Sequence, residues 1–170
     1  MVSKINITKF EGVYEPAEDS YLFVNHMPEI EGSVLEIGCG TGIIGISLAL
    51  RGHKVTAVDV NPQAIKASKL NSKENNVDLE ILEGNIFSPV KGRVFDTIVC
   101  NPPYLPISED DYNDSNLALA VEGGPTGSEF TIELLKQATN YLNPKGSVYL
   151  ILSSKMESLK LDWNREIIKE

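Results

Sequence analysis

The stretch Asn101–Tyr104 (Asn-Pro-Pro-Tyr) combines a side-chain amide, two consecutive prolines and an aromatic ring. It follows the apolar, β-branched run Phe95–Cys100, which predicts a buried strand. Because proline cannot donate a hydrogen bond to a sheet, the strand must end before Pro102. Ligands of open α/β sheets bind at the carboxyl ends of strands, so this turn is a candidate site.

The chemistry that suits this turn is the holding of one planar NH2 group. The Asn101 side-chain oxygen and the Pro102 carbonyl are two acceptors, which orient both hydrogens and favour a pyramidal nitrogen as charge develops. Tyr104 offers a face on which a planar amide or base packs. We therefore predict Asn101, Pro102 and Tyr104 as catalytic residues, with positioning able to contribute up to about 7–11 kcal/mol in favourable systems. The alternative is that Asn101 only ends the strand.

A glycine-rich turn follows the predicted strand Ser33–Ile37, and its alternate positions are Gly38, Gly40 and Gly42. Such a turn lets the backbone approach a ligand closely. Gly40, Gly42 and Gly45 also have dinucleotide-binding spacing, so a nicotinamide or flavin cofactor is an alternative. Asp59 ends the next predicted strand, where a carboxylate binds the ribose diol of either kind of cofactor.

Two features favour S-adenosylmethionine as the cofactor. Glu36 immediately precedes the glycine turn and offers negative charge to an ammonium and a sulfonium group. A pyrophosphate instead prefers bare backbone N–H groups at a helix N-terminus. The second feature is Asn101–Tyr104, for which a dehydrogenase has no use.

Strand and helix patterns alternate along the chain. The predicted strands are Ser33–Ile37, Val55–Asp59, Leu79–Leu82, Phe95–Cys100 and Val148–Leu152, with a turn at Asn143–Gly146. Helices are predicted near 16–27, 43–51, 62–75, 128–142 and 154–161, with Asn61 as an N-cap. This alternation predicts a single α/β domain over 1–170, with a mostly parallel sheet and helices on both faces. The long polar connection 105–126 has a length that is usually functional.

Composition limits the function classes. Acidic residues outnumber basic ones by 24 to 15, for a formal charge of −9, which counts against an extended phosphate-binding surface. Cys39 and Cys100 have no metal-ligand spacing and are predicted to be buried core fillers, and no metal site is expected. Neither a membrane-spanning run nor a signal-peptide pattern occurs, so we predict a cytoplasmic protein.

The motifs together resemble those of class I S-adenosylmethionine-dependent methyltransferases, which have a Rossmann-like fold. Glu36–Gly42 resembles their cofactor loop and Asp59 their ribose-binding acid. Asn101–Tyr104 resembles the catalytic motif of amino-methylating members. That motif is shared by adenine-N6 and cytosine-N4 methyltransferases and by glutamine methyltransferases that act on release factors.

Two further stretches narrow the resemblance. Tyr14–Ser20 is similar to the N-terminal signature of the HemK-like group in its archaeal and eukaryotic branch, and Ala118–Gly127 is similar to the Gly-Gly-x-x-Gly segment of that branch. The resemblance implies a glutamine N5-methyltransferase for the Gly-Gly-Gln loop of a class I release factor. The alternatives are a nucleic-acid amino methyltransferase that takes a flipped base, a methyltransferase for another protein side chain, and a non-catalytic cofactor-binding subunit.

The resemblance also assigns cofactor contacts. Asn85 occupies the position of an acid that bonds the adenine amino group, although asparagine is also a common turn residue. Ile86 or Phe87 is expected to pack on the adenine. Three residues of the N-terminal signature are expected to close over the cofactor: Tyr14, Pro16 and Ser20.

A partner and a missing element are implied as well. Relatives pair with a small zinc-binding activator that adds a strand beside the third strand, here Val77–Leu82. The alternative is an ordinary sheet edge protected by Asp78 and Glu80. The family sheet ends in an antiparallel strand pair, and this pair is expected to be incomplete here, since only Asn164–Lys169 remains to form it.

Overall fold

The computed structural model describes residues 5–106, 120–156, 163–164 and 166–169. The helices are α1 (Glu18–His26), α2 (Ile43–Leu50), α3 (Pro62–Glu74) and α4 (Glu129–Ala138). The strands are β1 (Ser33–Ile37), β2 (Lys54–Asp59), β3 (Glu80–Glu83), β4 (Phe95–Cys100), β5 (Leu105–Pro106), β6 (Glu122–Gly124) and β7 (Leu142–Leu150). Short 3₁₀ turns cover Ser88–Val90 and Thr139–Tyr141.

The main sheet has five strands in the order β3-β2-β1-β4-β7, and every pair in it is parallel. Its central strands are buried on both faces, as is usual for parallel sheets covered by helices. Val34 and Val99 pack with α1 and α2, whereas Leu35 and Ile98 pack with α4. The predicted parallel sheet with helices on both faces is confirmed.

The register brings three strand ends together. Ile37 pairs with Val58 on one side and with Cys100 on the other, so β1, β2 and β4 end side by side. The residues that follow these strands therefore meet at one sheet edge, which is where ligands bind in open α/β sheets. The predicted cap of α3 is confirmed, because the Asn61 side chain accepts a hydrogen bond from Gln63 N at 2.9 Å.

The C-terminal part differs from the prediction. The turn expected at Asn143–Gly146 lies inside β7 as an irregularity, because the register slips between the pairs Phe95–Leu142 and Thr97–Ser147. Lys145 takes a positive φ of 71° there. The helix expected at 154–161 is a turn at residues 154–156, and residues 157–162 lie outside the described part.

Two remaining expectations concern the loops and the last strands. The connection 105–126 carries β5 and β6, which form a separate two-stranded parallel sheet, while 107–119 lie outside the described residues. The described residues of Asn164–Lys169 form neither strand nor helix, and no antiparallel pair occurs in the described sheets. Within the described ranges, no helix is long and apolar enough to cross a membrane.

Two glycines at helix ends provide a matched test of packing at the glycine turn. Both have left-handed φ angles, 88° at Gly42 and 93° at Gly52. A Cβ at Gly52 would meet nothing within 4 Å, whereas one at Gly42 would lie 2.9 Å from the Ser68 hydroxyl. We expect Gly52→Ala to cost about 1–2 kcal/mol of unfolding free energy from backbone strain alone.

Gly42→Ala should cost this strain plus about 1–3 kcal/mol for overpacking against α3. Urea denaturation of the two variants and the wild type measures the difference. Equal destabilisation by the two substitutions would contradict the assigned contact between the glycine turn and α3.

Candidate active site

A cleft at the carboxyl ends of β1, β2 and β4 brings together most of the predicted cofactor residues. Those that line it are Tyr14, Pro16, Ser20, Gly38, Gly40, Asp59, Asn85, Ile86 and Asn101. They come from five separate parts of the chain, so the sheet register and not sequence proximity assembles them. Glu36 and Gly42 are the two predicted cofactor residues that do not line the cleft.

The glycine turn presents backbone to the cleft. Gly38 N and Cys39 N donate to the Val58 carbonyl at 2.8 and 3.1 Å, which anchors the turn on β2. Gly38 has a φ of 73°, and a Cβ there would meet nothing within 4 Å because this side faces the open cleft. The absent side chain therefore leaves space in which a ligand lies directly against the main chain.

Asp59 holds the same turn from β2. Its Oδ2 accepts from Gly40 N and its Oδ1 from Asn61 N, each at 2.9 Å. Burial raises the pKa of Asp59, and the backbone N–H bonds oppose that rise. Each carboxylate oxygen keeps acceptor capacity beyond one backbone bond, so Asp59 can bind a diol while it fixes the turn.

Two α3 side chains satisfy the carbonyls of the glycine turn, and the sequence analysis missed both. Ser68 Oγ donates to Gly40 O at 3.0 Å, and Asn71 Nδ2 donates to Thr41 O at 2.9 Å. Gly42 does not line the cleft, and the side where a Cβ would stand lies against Ser68 of α3. Polar residues on the buried side of a helix are the signal that was available in the sequence.

Glu36 is also placed differently from the prediction. Side chains alternate along β1, so Ile37 faces the cleft while Glu36 points beneath α2. Glu36 is 1% exposed, and its carboxyl oxygens make no hydrogen bond of ordinary geometry with the described residues, although the nearby Gly45 N–H opposes the rise of its pKa. Burial, reinforced by the charge of Asp59, raises the pKa of Glu36 to about 8. The carboxyl is therefore mainly protonated at neutral pH, and it does not line the cleft.

Gly45 makes room for this buried carboxyl. A Cβ at Gly45 would overlap Oε2 of Glu36, so glycine is required where α2 crosses β1. The third glycine of the dinucleotide-like spacing therefore serves helix–strand packing. Its presence is therefore not evidence for a pyrophosphate-binding site.

The segment after β3 contributes one apolar residue to the cleft. Ile86 is buried, has a φ of 45° and lines the cleft beside the exposed Asn85. Phe87 instead stacks on Tyr141, with ring centroids 4.3 Å apart and planes 9° from parallel. Of the two residues proposed to pack on an adenine, only Ile86 reaches the cleft.

The Asn101–Tyr104 turn carries an oriented amide. Asn101 Nδ2 donates to Asp19 Oδ2 at 2.9 Å, and Tyr104 OH donates to the same oxygen at 3.1 Å. Asn101 Oδ1 is buried and has no hydrogen-bond partner among the described residues. Burial and the Asp19 charge raise the pKa of Tyr104 to about 12, so its hydroxyl stays a donor. The turn therefore presents an unused acceptor oxygen.

Asp19 contacts the Asn101–Tyr104 turn, and the sequence analysis did not single it out. It lies in the Tyr14–Ser20 signature, but an acid in the first turn of a helix has an ordinary electrostatic explanation. The structure places it against residues that lie more than 80 positions away in the chain.

A second cavity adjoins the cleft at Asn101. Its lining includes Asp19, Pro102, Tyr104 and Lys155, and it shares Tyr14, Asn101, Pro103 and Ala120 with the cleft. Two ligands bound in the two cavities would therefore meet at Asn101.

Residues 123–127 pack against the Asn101–Tyr104 turn. A Cβ at Gly123 would overlap the Pro103 and Gly127 carbonyl oxygens, and one at Gly127 would overlap the Tyr104 carbonyl oxygen. The Gly-Gly-x-x-Gly pattern thus permits backbone to lie directly on the backbone of the Asn-Pro-Pro-Tyr turn.

The predicted core-filling role of Cys39 and Cys100 is confirmed, since both are buried free thiols.

Residues 5–118 match the family described as Methyltransferase small domain. The chain belongs to this family. Its membership confirms the predicted methyltransferase class and S-adenosylmethionine as the cofactor of the family. It also removes the nicotinamide and flavin alternatives that the glycine spacing left open.

Among relatives, a Methanocaldococcus jannaschii protein provisionally named protein N5-glutamine methyltransferase is 44% identical over 90% of this chain and 78% of its own length. The release factor glutamine methyltransferase of Aquifex aeolicus is 34% identical over 82% of this chain, which spans 54% of that protein. The T. thermophilus 16S rRNA N2 G1207 methyltransferase, solved with AdoMet and guanosine, superposes with a TM-score of 0.60 at 20% identity, covering 86% of this chain and 37% of that one. This last likeness confirms the fold alone.

The buried carboxyl of Glu36 should make the stability of this protein pH-dependent. Its pKa is about 8 in the folded protein against an ordinary 4.5, so the unfolded chain releases a proton first as pH rises. The free energy of unfolding should therefore fall between these values and level off above them. We expect it to fall by roughly 3 kcal/mol relative to Glu36→Gln between about pH 5 and 8.

Urea denaturation of both proteins across this pH range measures the effect. Glu31→Gln is the matched control, because this glutamate is exposed and its removal should leave the pH dependence as in the wild type. Parallel curves for the wild type and Glu36→Gln would contradict the assigned protonation.

Proposed function

We propose that this methyltransferase acts on the side-chain amide of the glutamine in the Gly-Gly-Gln loop of a class I release factor. The observation that carries the proposal is the buried, unpartnered Asn101 Oδ1 at the junction of the two cavities. A buried acceptor without a partner is costly unless a ligand donor completes it. A planar NH2 group is such a donor.

The cleft fits S-adenosylmethionine. The open space at Gly38 is a cradle for a ligand against the main chain, and Asp59 keeps acceptor capacity for the ribose hydroxyls. We propose that Ile86 would pack on the adenine, that Asn85 would accept from its amino group, and that Tyr14, Pro16 and Ser20 would close over the cofactor. When bound, this cofactor supplies an electrophilic methyl group on a sulfonium centre.

The protein's own contribution is the orientation of the acceptor nitrogen. Asn101 Oδ1 and the Pro102 carbonyl each accept one hydrogen of the NH2 group, which aims the nitrogen lone pair and favours its pyramidal form. Tyr104 packs on the planar acceptor. No general base is required before attack, because the cationic product nitrogen is acidic enough to lose its proton afterwards.

The choice of a glutamine amide over a nucleic-acid base rests on three observations. Relatives at 44% and 34% identity carry glutamine methyltransferase names. The formal charge is −9, which disfavours a nucleic-acid surface. The four sequence motifs occur in the order of the HemK-like group. A base would need to be flipped into the same cavity.

We also propose a partner at the β3 edge. Among the described strands β3 has a neighbour on one side only, as an added strand would require. Of the two charges suggested to protect this edge, Glu80 is engaged with Arg93 at 2.7 Å and with Thr56 at 2.8 Å. A small zinc-binding activator that contributes a strand here is the partner proposed from the family resemblance, and the cytoplasm is the proposed location.

The substrate is tested by incubating the protein with methyl-labelled S-adenosylmethionine and each of four acceptors: a class I release factor, tRNA, rRNA and duplex DNA. Each reaction is run with and without the activator. We expect label only in the release factor, lost when its Gly-Gly-Gln glutamine is replaced, and more label with the activator. Label in nucleic acid but not in the release factor would reject the proposed substrate.

The role of Asn101 is tested by Asn101→Ala. We expect cofactor affinity within a few-fold of the wild type and a fall in kcat on the order of 10²–10³-fold, the scale for removing one preorganised hydrogen-bond partner. Asn85→Ala is the comparison variant, expected to raise the KM for S-adenosylmethionine more than it lowers kcat. Full activity of Asn101→Ala would refute the assigned role.

A further inference from the structure

We propose that Asp19 is the positioning residue that sets which end of the Asn101 amide faces the methyl acceptor. The proposal rests on the proposed function, since it assigns how the acceptor group of that same site is oriented. Asp19 lies in the first turn of α1, and Asn101 follows β4, so the contact joins two elements that are remote in sequence.

The Asp19 carboxylate accepts several hydrogen bonds. Oδ2 accepts from Asn101 Nδ2 at 2.9 Å and from Tyr104 OH at 3.1 Å. Tyr14 OH lies 3.2 Å from both carboxylate oxygens, and Ser20 N donates to Oδ1 at 2.6 Å. Among the described ion pairs, none involves Asp19. The carboxylate is thus held in place by neutral donors.

This arrangement determines the amide orientation. The Asp19 oxygens act as acceptors in all of these bonds, whereas the two ends of an asparagine amide differ, one being a double donor and the other an acceptor. The NH2 end must therefore face Asp19, and Oδ1 is left at the opposite end, buried and without a described partner. If the amide were reversed, its oxygen would face the Asp19 carboxylate, and the two would repel each other. Its NH2 group would then face the NH2 group of the methyl acceptor, and two donors cannot form a hydrogen bond.

A helix-terminal charge alone does not explain these contacts. The N-cap of α1 is Ala17, which makes no side-chain cap, and Asp19 accepts from the N–H of the adjacent Ser20. That local bond would persist with the carboxylate facing solvent. The bonds to Asn101 and Tyr104 cross 82 and 85 residues and require it to face the second cavity.

Tyr14 connects this carboxylate with the cofactor cleft. Its hydroxyl bonds Asp19, and its side chain lines both cavities. Burial and the Asp19 charge raise the pKa of Tyr14, which keeps its hydroxyl a donor. The side that closes over the cofactor and the turn that holds the acceptor therefore share one hydrogen-bonding centre.

The test compares Asp19→Ala, Asp19→Asn and the control Glu18→Gln, which removes a charge from the same helix turn at an exposed position. For Asp19→Ala we expect kcat to fall about 10- to 100-fold, the range known for partners that orient a functional ligand. The dissociation constant for S-adenosylmethionine should stay within a few-fold. Asp19→Asn keeps one acceptor oxygen and should lie between Asp19→Ala and the wild type, while Glu18→Gln matches the wild type.

A double-mutant comparison separates positioning from general stability. If Asp19 acts through Asn101, adding Asp19→Ala to Asn101→Ala should lower kcat no further. An equal loss in both backgrounds would overturn the proposal, as would an Asp19→Ala variant with wild-type kcat.

A further measurement, hydrogen exchange of the Asn101 side chain, requires no methyl acceptor. Solvent exchange of the Asn101 side-chain NH2 protons, assigned by NMR from their absence in Asn101→Ala, should be slow in the wild type and fast in Asp19→Ala. Unchanged exchange would also reject the proposal. If the wild type methylates a nucleic acid instead of glutamine, the proposed function is wrong. The role of Asp19 is still decided by this hydrogen exchange and by comparing kcat values on the nucleic acid.

Discussion

The parallel register of β1 with β2 and β4 is the constraint on which the site depends. Because the three strands end at neighbouring positions, the glycine turn, Asp59 and Asn101 emerge at one sheet edge. Apolar side chains that pack against helices on both faces hold that register, since a slip would move each of them out of its packed position. Binding geometry at the edge is therefore maintained by hydrophobic packing well away from it.

At that edge, hydrogen bonds hold backbone segments that have no regular structure. Asp59, Ser68 and Asn71 bond the N–H and carbonyl groups of the glycine turn. The Asn-Pro-Pro-Tyr turn is held differently, by prolines within it, by Asp19 on its side chains and by glycine backbone lying against it. The first turn leaves a bare backbone surface at Gly38, and the second leaves a buried carboxamide oxygen without a hydrogen-bond partner among the described residues.

Much of the fold was predictable from the sequence because local signals agreed with it. The buried strands β1 and β4 and the capped start of α3 were predicted at the residues where they occur. The predictions failed where a local signal has two structural outcomes. Asn143–Gly146 contains turn-forming residues, yet β4 pairing draws it into an irregular strand, and Glu36 sits beside a ligand loop but its strand position directs it into the core.

The residue types and their order in four motifs were enough to identify the methyltransferase family, and they predict a methyl-donor loop and a group that holds an amide. The partners of each motif residue emerge only in the folded chain. Gly42 packs on α3, Glu36 lies buried beneath α2 against Gly45, and Asp19 accepts a hydrogen bond from Asn101. The physical reason is that a side chain's role follows from the partners that strand alternation and helix packing place around it, and those partners lie far away in the chain.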